Sequence, residues 1–131
     1  MNLHHIAYVC KNVKKKAKSF CEQFGFKIIS GPVVDKYQGV KILFIQSDDG
    51  TKIELLEPYG KNSPVKKFLD KGGGLYHFCF EVENIEKTLK IITGNNKAFV
   101  VRPPAAAPAI GNKKAAFVVT AEKDIIEFVE K

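Results

Sequence analysis

Two histidines and two glutamates carry the chemistry open to this chain: His5, Glu54, His77 and Glu127. The interval from residue 5 to 77 and that from 54 to 127 differ by a single residue, and so do those from 5 to 54 and from 77 to 127. A unit with His on its opening strand and Glu on its closing strand, doubled about a pseudo-twofold axis, would present two imidazoles and two carboxylates to one point. That donor set suits one divalent ion. Imidazole favours Zn, Fe, Ni or Co, and carboxylates favour Mg or Mn. Four protein ligands leave two octahedral positions open, and open positions separate a catalytic centre from a closed structural one. Both glutamates lie among apolar neighbours, in Lys52-Ile53-Glu54-Leu55-Leu56 and Ile125-Ile126-Glu127-Phe128-Val129. A carboxylate buried without compensation is costly, so a partner is expected at each. A lone strand histidine is more often a packing residue, and His4 beside His5 must point to the opposite face. The match across the repeat is what favours ligation.

The elements that would position these side chains recur in one order. Residues 3–10 read as a strand. Residues 13–24 place Val13, Ala17, Phe20, Cys21 and Phe24 at helical spacing, with Gly25 as the stop. Residues 26–29 open another strand, which Gly31-Pro32 interrupts. Residues 40–46 and 51–56 form a hairpin around Asp48-Asp49-Gly50. A linker helix over 65–71 is expected between Ser63-Pro64, as N-cap and first-turn proline, and Gly72. The second half repeats the plan with a strand over 75–82. Asn84 then caps a helix that buries Ile85, Leu89 and Ile92 and stops at Gly94. A strand over 98–102, a Pro/Ala-rich loop over 103–108, and a hairpin of 115–119 with 124–129 complete it. The expected class is α+β: two tandem βαβββ modules forming a cupped mixed β-sheet around a metal site. The modules span 1–58 and 74–131 of a single domain, joined by a linker helix within 59–73.

Composition excludes several classes. With 131 residues and 45% hydrophobic content the chain can bury its own core. It has no apolar run of roughly 18 residues to span a bilayer. The opening Met1-Asn2-Leu3-His4-His5 lacks the regions of a signal peptide, so a cytoplasmic location is expected. Cys10, Cys21 and Cys79 are odd in number and lack metal-type spacing, as reduced and mostly buried thiols would be. The net charge of +7 includes Lys11, Lys14, Lys15, Lys16 and Lys18 in one segment. With no nucleic-acid motif, that segment reads as the solvated face of a helix, with a weak attraction for anionic small molecules.

Several segments together resemble the vicinal oxygen chelate superfamily (glyoxalase, bleomycin resistance, dioxygenase), and within it the methylmalonyl-CoA epimerases. Leu3-His4-His5-Ile6-Ala7 looks like the family's opening metal-binding strand. Tyr37-Gln38-Gly39-Val40-Lys41 is similar to its strand-opening segment. Glu54-Leu55-Leu56-Glu57-Pro58, followed by Asn62-Ser63-Pro64-Val65 and Phe68-Leu69, resembles its second ligand strand and linker helix. Gly74-Leu75-Tyr76-His77 with Phe80-Glu81-Val82, and Ile126-Glu127-Phe128, resemble the third and fourth ligand segments.

The resemblance implies one divalent metal ion (Co, Ni, Zn, Mn or Mg) on His5, Glu54, His77 and Glu127. It also implies an isomerase acting through a metal-stabilised enolate, with Glu127 as ligand and base together. The implied substrate is an acyl-CoA or another thioester or thiol adduct, and the implied assembly is a homodimer. The family's second acid would lie within residues 37–43, where this chain has no Asp or Glu; Asp35 is the nearest acid and Tyr37 a possible substitute. The His-Pro-Lys turn of the family's last hairpin is also absent. A glyoxalase I (lactoylglutathione lyase) type of lyase is the alternative within the class, and a non-catalytic antibiotic-binding module lies outside it. A ring-cleaving dioxygenase fits least, since it commonly uses two His and one carboxylate. The segment from Arg102 to Asn112 is expected to be either a lid over the site or a stiff surface connection.

Overall fold

A computed structural model describes residues 1–131. The order is β1 (Asn2–Val9), α1 (Val13–Phe24), β2 (Lys27–Asp35), β3 (Val40–Gln46), β4 (Lys52–Pro58), α2 (Lys66–Asp70) and β5 (Gly74–Val82). Then come α3 (Ile85–Thr93), β6 (Ala98–Ala107), a 3-10 turn at Pro108–Ile110, β7 (Lys113–Thr120) and β8 (Ile125–Glu130). The α+β class and the repeated order of strand, helix and three strands are as expected. No helix is long and apolar enough to cross a membrane. The chain divides into two compact units, residues 5–76 and residues 77–131 joined by 1–4.

In the unit of residues 5–76 the strand order is β2-β3-β4-β1, with β1 parallel to β4 and the other pairs antiparallel. Helix α1 forms because Asn12 caps it, its side chain accepting from Lys15 N at 2.9 Å, and because Gly25 ends it at φ +73°. Its apolar stripe buries Val13 and Ala17 with Cys10, Leu43, Ile45 and Leu55. Side chains alternate across a strand. With Ile53 and Leu55 packed in this core, Glu54 must emerge on the sheet face away from α1.

The unit of residues 77–131 repeats this with the order β5-β8-β7-β6. Asn84 caps α3, accepting from Lys87 N at 2.8 Å. Ile85 and Leu89 pack with Val82, Ala116, Val118 and Phe128, and Ile92 lies against them. Ile126 and Phe128 belong to this core, so Glu127 faces the other way. In each unit a carboxylate near the end of the closing strand holds the first N–H of the helix. Val13 N donates to Glu57 Oε1 at 3.0 Å, and Ile85 N donates to Glu130 Oε2 at 2.9 Å.

Two expected details differ. Ser63 does not cap α2, whose N-cap is Val65; the Ser63 hydroxyl donates instead to the Gly39 carbonyl at 2.5 Å. Gly31-Pro32 interrupts the β2 ladder as expected, with a register shift between Ser30 and Val33, and the strand then runs on to Asp35. The Pro/Ala-rich stretch is not a loop. Pro103 and Pro104 lie within β6, an edge strand, between the paired positions Arg102 and Ala105. A proline without an N–H is tolerated where the ladder is already interrupted at an edge. Ala105, Ala106 and Ala107 pair with β7, so this part of the segment is neither lid nor loop.

Candidate metal centre

Each unit presents one buried His–Glu pair. In residues 5–76, Ala7 on β1 stands opposite Glu54 on β4, and His5 lies two residues before Ala7 on the same face. His5 is 1% exposed and Glu54 6%, with Nε2 and Oε1 separated by 3.6 Å. In the other unit Cys79 on β5 stands opposite Glu127 on β8, and His77 lies two residues before Cys79. His77 and Glu127 are each 3% exposed, with Nε2 and Oε2 at 3.1 Å, a hydrogen-bond distance. Parallel pairing of first and last strand therefore does the same work twice.

Two residues that sequence reasoning passed over complete these pairs. Phe44 stands opposite Glu54 and Phe117 opposite Glu127. Each ring meets its unit's histidine edge to face, with centroids 5.2 Å apart and planes at 86°. The interval from 44 to 117 equals that from 54 to 127. Extending the repeat to aromatic positions would have found them.

The pairs fit a metal. Two donors about 2.1 Å from one ion, and 90° to 109° apart around it, sit roughly 3.0 to 3.4 Å from each other. The observed separations of 3.1 and 3.6 Å lie close to that window. Imidazole with carboxylate suits a borderline divalent ion.

The acids considered for a second base are placed otherwise. Asp35 is buried and accepts from Gln38 twice, at Oδ1 from the backbone N–H (3.0 Å) and at Oδ2 from Nε2 (2.8 Å). It braces the turn before β3. Tyr37 is 82% exposed. Of the thiols, Cys10 and Cys79 are buried as expected, and burial pushes the Cys10 thiol above its ordinary pKa.

A family model described as the glyoxalase/bleomycin resistance protein/dioxygenase superfamily matches residues 4–117. The chain belongs to that superfamily. Among its relatives there, the mitochondrial methylmalonyl-CoA epimerase of Dictyostelium discoideum is 34% identical over 104 residues, covering 78% of this chain and 61% of that protein. The ethylmalonyl-CoA/methylmalonyl-CoA epimerase of Cereibacter sphaeroides is 36% identical over 85 residues, covering 63% of this chain and 62% of that one. The chain thus spans about three-fifths of the length of these curated relatives. The crystal structure of a hypothetical protein from Bacillus halodurans C-125 superposes with a TM-score of 0.84 at 28% identity, covering 99% of this chain and 94% of that chain. Superfamily membership thus accounts for the doubled βαβββ plan that carries both His–Glu pairs.

Proposed function

We propose that His5, Glu54, His77 and Glu127 together hold one divalent metal ion, and that the chain is an isomerase moving a proton beside the carbonyl of a coenzyme A thioester. The observation that carries this reading is the duplicated, buried His–Glu pair, with separations of 3.1 and 3.6 Å that lie close to the spacing of two ligands on one ion. The epimerase relatives supply the substrate class. When bound, the ion would supply Lewis acidity toward the thioester carbonyl.

The chain's own residues supply placement. β8 holds Glu127 as the base that takes the proton from one face of the carbon, and return of a proton from solvent to the opposite face would complete the inversion. β5 sets the His77 nitrogen against it, and Phe117 limits rotation of the imidazole. His5 and Glu54 complete the donor set.

Metal analysis of the purified protein, followed by deuterium uptake from heavy water into methylmalonyl-CoA, tests the reading. Bound metal and uptake are expected. Bound metal with turnover of a hemithioacetal in place of uptake would assign a glyoxalase I type of lyase. A protein without metal, and with no rise in melting temperature on adding Mn, Co, Ni or Zn, would be a binding module instead.

A further inference from the structure

A groove of about 810 Å³ lies between the end of β1, α1 and α2, wholly within the unit of residues 5–76. Tyr8, Lys11, Lys15, Lys16, Lys66 and Asp70 are among the residues that line it. Its volume is that of a small-molecule site. Tyr8 packs against the core beneath α1, whereas Glu54 emerges on the other side of the sheet. The groove therefore opens on the side away from that unit's His–Glu pair.

Its charge is unbalanced. Lys66 is paired with Asp70, and that pair closes on itself. No carboxylate comes within ion-pair distance of Lys11, Lys15 or Lys16. Glu22 meets Lys18 instead, at 3.9 Å, and Glu57 is engaged by the Val13 N–H. The Lys16 Nζ lies 5.7 Å from the centroid of the Tyr8 ring, which ties this cation to the groove. Like charges gathered round one concave surface repel one another and raise the local concentration of anions.

The repeat shows that the fold does not require this arrangement. The interval from 5 to 77 also carries Asn12 to Asn84, the two helix caps. The same step carries Lys11 to Glu83, Lys14 to Glu86 and Lys16 to Thr88, and Lys15 alone meets another lysine, Lys87. Glu83 is paired with Lys131, and Glu86 with Lys114. The second unit balances its charges at the positions where the first leaves cations facing a cavity.

We infer that this groove binds a small molecule carrying two or more phosphates, such as a nucleoside diphosphate, at a site separate from the His–Glu pairs. Three ammonium groups suit the charge of a diphosphate ester, and lysine binds phosphate as a point charge. The groove is larger than inorganic phosphate alone would fill. This site goes beyond the function proposed above and depends on neither its metal nor its thioester.

Calorimetric titration of the purified protein with ADP, pyrophosphate and inorganic phosphate tests the inference. A triple variant, Lys11→Gln with Lys15→Gln and Lys16→Gln, is compared with a control that loses the same charge. The control is Lys90→Gln with Lys97→Gln and Lys123→Gln, three exposed lysines of the other unit. The groove variant is expected to lose roughly ten- to a hundredfold in affinity for ADP and pyrophosphate, while the control stays close to the unaltered protein. Circular dichroism of both variants checks folding. An equal loss in the two would overturn the inference, since net charge alone would account for it. No binding of ADP or pyrophosphate at millimolar concentration would overturn it too, as would inorganic phosphate bound as tightly as ADP. Displacement of ADP by coenzyme A would overturn the separate site and make the groove part of the thioester site.

Discussion

Phe117 meets His77 edge to face at 5.2 Å, and Phe44 meets His5 at the same distance and angle. Such a pair is worth about 0.5–1.5 kcal/mol beyond the area it buries, and it fixes the imidazole plane. Phe117→Leu should keep the fold and weaken Zn binding about three- to tenfold. Calorimetric titration of the variant with Zn reads this directly. Unchanged affinity would leave the ring a packing role alone.

Replacing His77 or His5 by Ala removes one of the four proposed ligands. Metal affinity should fall by several kcal/mol, so that dialysed protein retains almost none. Elemental analysis after dialysis checks this, with far-UV circular dichroism as the control for folding. A variant that keeps its metal would remove that histidine from the ligand set.

Glu127→Gln keeps the shape and one oxygen donor but cannot accept the substrate proton. Deuterium exchange should fall roughly 10²- to 10⁴-fold, while part of the metal remains. If metal and exchange disappear in parallel, the carboxylate has no separate role as base.

Gly73 adopts φ +68°, and a Cβ there would sit 2.7 Å from the Val9 carbonyl oxygen. Gly60, at φ +82°, has nothing within 4 Å of such a Cβ. Gly60→Ala should cost about 1 kcal/mol for its backbone strain alone, and Gly73→Ala about 2–3 kcal/mol because backbone must also move. Urea unfolding of both variants separates the two effects, and equal losses would dismiss the clash.

The elements legible in the sequence are those whose cause is local. Gly25 ends α1, which spans the expected residues 13–24, and the apolar run at 40–46 is β3. The His and Glu of each pair were legible because duplication leaves an arithmetic trace. What escaped depends on partners far along the chain. Ser63 has the look of a cap, yet its hydroxyl is taken by Gly39, 24 residues away. Pro103 and Pro104 look like loop residues, because nothing nearby reveals that β6 is an edge strand with a bulge before Ala105. Arg102 went with them, although it shares a row with Glu127.

The slack in the ladder around positions 30 and 102 has an evolutionary consequence. A residue flanked by two slips in pairing can change size or charge without dragging its neighbours out of step. The His–Glu pair proposed as ligands must stay fixed in each copy of the duplicated unit, while one bulged site in each is free to drift, so descendants of such a scaffold can change what lies beside the pairs without disturbing them.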